Sequence, residues 1–314
     1  MATRPRPLLL AVLAAALAAL VVAAGLVSGL GTGLVTGPTP ARASTELVAQ
    51  PAPSRRVDKL LVFVVENHSL GEMRRGLPYV QGLARRYGYA ADYHGLTHPS
   101  LPNYLAMVGG STFGVRDDAS PTSHRIHAPT VFGRALAHGS TATVYADAMA
   151  SRCRTVNGPG RYAVRHNPWT YFVDERSACQ GHDLPLRRLA GDVDAGALPA
   201  VGMVVPDLCH DAHDCALASA DRWLRQRIGQ VLRGPDWASG HLAVVVTADE
   251  DDNHHGNRVL TVVAHPALHG RVVRARLTHL GLARAYADTA GVPAPGNAAG
   301  ARSLLGAFGL TTGG

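Results

Sequence analysis

Five short stretches of this sequence are almost wholly apolar: Lys59–Val65 (KLLVFVV), Thr141–Tyr145 (TATVY), Val201–Val205 (VGMVV), Leu242–Thr247 (LAVVVT) and Val259–Ala264 (VLTVVA). A strand with one wet face alternates apolar and polar residues. An uninterrupted apolar run needs burial on both faces, as in a parallel sheet covered by helices. Between the runs lie helix-like segments at Pro78–Tyr87, Pro102–Val108, Val131–His138, Ala216–Leu232 and Leu277–Thr289. Strands alternating with helices predict an α/β fold with a mostly parallel central sheet. Residues 110–130 and 150–190 are rich in Gly, Pro and polar side chains and read as loops or small insertions over that sheet.

The N-terminus is read separately. Arg4 and Arg6 precede an apolar stretch from Leu8 to about Leu30, and Ala41-Arg42-Ala43 follows a Gly/Thr/Pro segment. A positive start, an apolar middle and a small-x-small end predict a signal peptide over residues 1–43, cleaved after Ala43. The apolar run is also long enough to span a bilayer, so an uncleaved anchor at the outer face of the cell membrane is the alternative. Residues 44–57 read as a linker and 58–314 as one catalytic domain, exported in either case. No second run in the sequence is long enough to span. Lys and Arg outnumber Asp and Glu by 30 to 23, but the bases are scattered arginines with no basic run, which excludes a nucleic-acid binding stripe. Four cysteines in an exported chain predict two disulfides, by proximity Cys153–Cys179 and Cys209–Cys215. A cysteine zinc site is disfavoured because no CxxC spacing is present.

Polar clusters follow three of the strand candidates. Glu66-Asn67 follows the first, Asp207 to Asp214 follows VGMVV, and Asp249-Glu250-Asp251-Asp252 follows LAVVVT. Open α/β sheets bind ligands outside the carboxyl ends of their strands, so the three clusters are expected on one edge. A run of four acids is ordinarily a solvated loop. This one abuts a buried strand, where packed carboxylates repel unless protons or a cation compensate. With Glu66 and Asn67 the donors are all oxygen, which suits one hard divalent cation, Mg²⁺, Ca²⁺ or Mn²⁺ ahead of zinc or iron.

Two further segments carry chemistry. In Thr97–Tyr104 (THPSLPNY), Ser100 precedes a helix with Pro102 in its first turn. Ser100 is either a plain N-cap or a hydroxyl nucleophile at a helix end that favours phosphate. In Tyr162–Trp169 (YAVRHNPW), Arg165 and His166 are suited to holding or protonating phosphate oxygens, or form a surface pair. His210, His213 and His279 carry the same ambiguity, each taken singly being more often structural.

Together, ENHS (Glu66–Ser69), HPSLPNYLAMVGGSTFG (His98–Gly114), YAVRHNPW, PDLCHDAHDC (Pro206–Cys215) and TADEDD followed by NRV (Thr247–Val259) occur in the order of a known family. The chain resembles the bacterial phosphoesterase family of secreted acid phosphatases and phospholipases C over about residues 58–310, most closely its acid phosphatases, which include phosphatidylinositol-3-phosphatases. The resemblance implies an alkaline-phosphatase-like α/β/α sandwich. It implies a metal held by Glu66, Asn67, Asp249 and Glu250, with Ser100 as nucleophile. His166 and His213 would be candidate general acids. Asn103, Arg165, His210, Asp214 and His279 would line the substrate side. Departures fall at Asp207 and His210, where family members often carry Asn, and at Ala248, commonly Trp. The phospholipase C branch usually carries threonine at the position of Ser100 and is longer, which leans this chain toward the phosphatases.

Three functions are weighed on this basis: a secreted metal-dependent phosphomonoesterase acting through serine, with phosphatidylinositol 3-phosphate among its candidate substrates; a phospholipase C-type phosphodiesterase on the same scaffold; and a non-catalytic exported protein binding cations or phosphate. Retention of nucleophile, carboxylates and histidines favours the first.

Overall fold

The structure is a computed structural model, and it describes residues 53–313. The leader and most of the linker lie outside the described residues. Eleven strands are present: β1 (Arg56–Val57), β2 (Lys59–Val65), β3 (Gly88–His94), β4 (Ala142–Ala146), β5 (Asp183–Pro185), β6 (Val201–Val205), β7 (Leu242–Ala248), β8 (Arg258–Ala264), β9 (Arg271–Val273), β10 (Leu277–Thr278) and β11 (Thr311–Thr312). The helices are α1 (Leu70–Gly76), α2 (Pro78–Arg86), α3 (Ser100–Gly109), α4 (Val131–Ala137), α5 (Arg176–His182), α6 (Arg187–Asp194), α7 (Leu217–Val231), α8 (Pro235–Ala238), α9 (His279–Ala290) and α10 (Leu304–Ala307).

The five apolar runs form β2, β4, β6, β7 and β8 of one nine-stranded sheet, ordered β10-β3-β8-β7-β2-β6-β4-β5 with β9 also on β3. From Leu60 to Val65 every residue of β2 is buried, and β7 is buried throughout. Full burial of a Val, Leu or Phe side chain contributes about 1.5–3 kcal/mol, so these two strands anchor the core. All pairings are parallel except those of β8, which runs against both β3 and β7. The acidic loop joining β7 to β8 is too short for a crossover helix, so the strand returns as a hairpin.

Helices α1, α2 and α7 pack on one another in one layer, and α3, α4, α9 and α10 in the other, giving the α/β/α sandwich. Trp223 of α7 meets Phe63 of β2 edge-on at 6.3 Å, and Tyr286 of α9 donates its hydroxyl to the Gly202 carbonyl of β6 at 2.9 Å. Both layers are thereby locked to central strands.

Three features differ from the sequence reading. GYAADYH forms β3, whose mixed pattern hid it, because its residues alternate only loosely between buried and half-buried positions near the sheet edge. Within residues 150–190, Asp183–Pro185 adds an edge strand to β4. The end of the expected linker, Arg56–Val57, is a strand that pairs with Thr311–Thr312, tying the two ends of the described chain together. The disulfides are Cys153–Cys179 and Cys209–Cys215, as expected, with no free cysteine. Among the described residues no helix is long and apolar enough to cross a membrane.

Candidate active site

Strands β7, β2 and β6 are adjacent and parallel, so the residues after them emerge side by side at one edge. Glu66 follows β2, Asp249-Glu250 follow β7, and the Asp207–Asp214 loop follows β6. The loops are tied directly: the Glu66 amide donates to the Asp211 carbonyl at 2.9 Å, and the Asp249 amide to that of Val65 at 3.2 Å. Asn67 takes a positive φ of 52°, a conformation Asn tolerates better than most side chains, and its amide donates to Asp249 Oδ1 at 3.3 Å. Gly95 is required nearby, because a Cβ there would stand 2.7 Å from the Asp249 carbonyl.

The four-acid run divides by role. Asp249 and Glu250 are buried at the strand end. Asp251 accepts the amides of Asn253, His255 and Asn257 at 2.8–2.9 Å and shapes the turn. Asp252 faces out and bonds His255 at 2.6 Å.

Ser100 lies beside this cluster, but not as an N-cap. Pro99 is the capping residue and Ser100 the first residue of α3. Its hydroxyl donates to Glu66 Oε2 at 3.0 Å, away from the helix amides. The plain capping reading is therefore corrected. One turn on, Tyr104 donates its hydroxyl to Glu66 Oε1, and its ring stacks on His166 with centroids 5.2 Å apart. His166 is buried with Nδ1 3.2 Å from Asp211 Oδ2 and Nε2 3.3 Å from Glu66 Oε2. Ligand atoms of Glu66, His166 and Asp211 all lie within 4.8 Å of one another, a grouping able to hold a metal ion.

Carboxyl groups crowd together here, and no Lys or Arg among the described residues forms an ion pair with Glu66, Asp249 or Glu250. Burial, reinforced by Asp249 and Asp211, pushes Glu66 well above the carboxylate range. Burial raises Asp249 to about 7, against the hydrogen bond from the Asn67 amide. Burial and the neighbouring Asp249 carry Glu250 to about 9, and burial raises Asp211 to about 7. Burial and the charge of Arg165 push His166 well below its usual value, so its ring is neutral. Asn67 Oδ1, Asp249 Oδ2 and His166 Nε2 are buried without a hydrogen-bond partner. Natural structures seldom leave such atoms orphaned, and carboxylate oxygen, amide oxygen and imidazole nitrogen are all ligand types that divalent cations take. The residues present fit a divalent metal.

Other predicted residues divide. Arg165 and His213 sit at the rim, Arg165 donating from Nη2 to His213 Nε2 at 3.1 Å, and His213 Nδ1 meeting Asp214 at 2.7 Å. Three residues assigned to the substrate side are otherwise occupied. Asn103 is fully buried. Its oxygen accepts the amides of Leu96 and Thr97, and its NH₂ serves the Thr97 carbonyl and Glu250 Oε2, the latter at 3.0 Å. It therefore positions Glu250. His279 is fully buried between the Tyr93 hydroxyl and the Asp249 carbonyl, supporting the Asp249 backbone. His210 stacks on Trp223 at 5.3 Å and bonds Asp147 at 2.8 Å, apart from the Glu66 cluster.

Sequence reasoning missed Tyr104, His98, Asp211 and Asp118. Tyr104 had a signal, being four residues past Ser100 on the same helix face. His98 lies 3.2 Å from Glu250 and 3.4 Å from Asp251. Asp211 was within a noted motif but unassigned. Asp118 lies in a loop and had none.

The family model of the phosphoesterase family matches residues 60–271, which takes in every strand and loop of this site. The chain belongs to the phosphoesterase family. This phosphoesterase is 27% identical over 253 residues to a phosphatidylinositol-3-phosphatase of Mycobacterium tuberculosis, covering 80% of this chain and 82% of the relative. It is 26% identical over 226 residues to a phosphate-repressible acid phosphatase of Penicillium chrysogenum, covering 68% of this chain and 54% of that one, so it spans about half the fungal protein's length. Among solved structures, an alkaline phosphatase superfamily protein from Vibrio parahaemolyticus matches with TM-score 0.55 and 12% identity over 80% of this chain and 71% of that one. A lipoteichoic acid synthase from Listeria monocytogenes matches with TM-score 0.54 and 10% identity, covering 81% and 76%. These likenesses show the fold.

Proposed function

We propose that this phosphoesterase is an exported, metal-dependent acid phosphatase that hydrolyses phosphomonoesters through Ser100. The observation carrying this reading is the Ser100 hydroxyl bonded to Glu66 within a buried carboxylate cluster, where no Lys or Arg among the described residues forms an ion pair with Glu66, Asp249 or Glu250. The names of the mycobacterial and fungal relatives support the phosphomonoester class, and the mycobacterial one makes phosphatidylinositol 3-phosphate a candidate substrate. The N-terminal apolar run and the two disulfides support export.

Glu66, Asn67, Asp249 and Glu250, with His166 and Asp211 beside Glu66, would hold one divalent cation. Such an ion supplies charge stabilisation for the serine alkoxide and for the phosphoryl oxygens. Glu66, ionised when the cation is held, takes the Ser100 proton through Oε2 as the oxygen attacks phosphorus, and returns it when phosphate leaves the serine. A new serine–phosphorus bond forms as the bond to the leaving alkoxide breaks. Arg165 stabilises the equatorial oxygens. The alkoxide leaves with a proton from a histidine. Neutral, buried His166 is poorly suited to donate one, whereas rim-exposed His213 is reachable and is backed by Asp214. Water then attacks the phosphoserine, releasing inorganic phosphate and restoring the hydroxyl.

The test is phosphate release by the mature protein from a phosphomonoester and from phosphatidylinositol 3-phosphate, beside cleavage of a phosphodiester, with and without chelator. Monoester turnover abolished by chelator and restored by a divalent cation is expected. Faster diester cleavage places the enzyme with the phospholipases C, and full activity in chelator removes the metal from the reading.

A further inference from the structure

The rim carries a negative charge that this reaction does not use. Asp118 lies in the loop between α3 and α4. Its Oδ1 accepts the Leu101 amide in the first turn of α3 at 2.9 Å, and its Oδ2 lies 3.7 Å from Arg165 Nε. Both partners adjoin the proposed reaction centre: the amide follows Ser100 directly in the first turn of α3, and Arg165 is the one guanidinium assigned to the phosphoryl oxygens. A carboxylate and a phosphate edge present paired anionic oxygens to the same donors. The backbone around Asp118 is held, since Asp117 accepts the Ala119 amide at 2.9 Å and the Tyr171 hydroxyl donates to the Ala119 carbonyl at 3.0 Å. The side chain itself is only partly buried.

We infer that Asp118 is an internal stand-in for phosphate, occupying the anion position of the empty site and yielding the Leu101 amide and Arg165 when a phosphoryl group binds. The inference rests on the phosphatase reading above. Every incoming phosphate must compete with the Asp118 carboxylate, so substrate and product are both held less tightly than the donors alone would allow.

The alternative is that Asp118 aligns Arg165 for substrate, and the two predict opposite signs. The experiment is calorimetric titration of the full chain, with Mg²⁺ or Mn²⁺ present, by inorganic phosphate. It compares the wild type, D118N, R165A and the pair, with melting temperatures recorded for each. D118N keeps an acceptor for the Leu101 amide and removes the charge. Phosphate should bind about fivefold more tightly to D118N, in line with removing one partly exposed charge contact. KM for a phosphomonoester should fall in step without a rise in kcat. In the R165A background the gain should shrink. Weaker or unchanged phosphate binding by folded D118N overturns the inference alone. Wild-type protein that binds no phosphate overturns the phosphatase reading and this inference with it.

Discussion

Glu66 is fully buried and Glu175 half-buried, and the fold satisfies the two glutamates in opposite ways. Glu175 accepts the Thr130 amide at 2.8 Å, the Thr130 hydroxyl at 2.6 Å and the Trp169 indole N–H at 2.7 Å. Three neutral donors satisfy it, and it stitches the insertion to α4. Glu66 receives two hydroxyls but also faces Asp249, Asp211 and a neutral histidine, amid buried atoms with no partner at all. A third solution lies close to Glu175: Asp183, fully buried with one Asn167 amide at 2.8 Å, is raised by burial to about 8 and keeps its proton at neutral pH. Donors and a proton account for the two structural carboxylates. At the strand ends burial raises four crowded carboxylates at once, and the cation proposed above would take the place of the protons they otherwise hold.

The contrast breaks most sharply at Ser100. Because its hydroxyl serves Glu66 and caps nothing, Ser100→Gly and Ser100→Ala should lower phosphate release by about 10³-fold or more while leaving the melting temperature nearly unchanged. Ser100→Thr should retain part of the rate. Next, Asp249→Asn should reduce turnover about 100-fold. The same change should raise the melting temperature of chelator-treated protein by a few degrees, because it relieves carboxylate repulsion.

Asp183 sharpens the comparison through pH. Its folded pKa lies above the unfolded one, so its contribution is full below the unfolded carboxyl range and is lost as pH rises toward about 8. The slope is at most about 1.4 kcal/mol per pH unit for one proton. Denaturation midpoints across pH 5–8 should fall for the wild type and fall less steeply for Asp183→Asn, the remaining slope coming from Glu66, Asp211, Asp249 and Glu250, with turnover retained by the variant. Last, Glu175→Gln turns one acceptor into a donor facing N–H and O–H groups. It should cost about 1–3 kcal/mol in chemical denaturation and leave kcat unchanged. A loss of activity there without loss of stability would mean the two regions are not separate.

The sheet was legible because β2, β4, β6, β7 and β8 are buried on both faces and therefore written as unbroken apolar runs. Their shared edge was legible too, since polar clusters follow three of them directly. β3 was not, because its residues are half-buried and its pairing with β8 and β9 is set by tertiary packing. Within the site, residue identity announced the carboxylates and Ser100 but not how each side chain is spent. Asn103 and His279 look like ligand contacts in sequence and become internal supports, because burial forces every polar atom to find a partner. Asp211 and Asp118 matter through neighbours 45 and 17 residues away, His166 and Leu101, a distance at which local pattern carries no information.

A cation at the strand ends is central to the proposed chemistry, and stoichiometric binding tests for it without reference to turnover. Chelator-stripped protein should be titrated with Mg²⁺, Mn²⁺ and Ca²⁺ by calorimetry, beside Glu66→Gln and Glu175→Gln. The account predicts one ion per chain for the wild type and for Glu175→Gln, with a rise in melting temperature on loading, and greatly weakened binding for Glu66→Gln. Stripped wild-type protein that binds none of these ions, or a Glu66→Gln variant that binds as the wild type does, would contradict it.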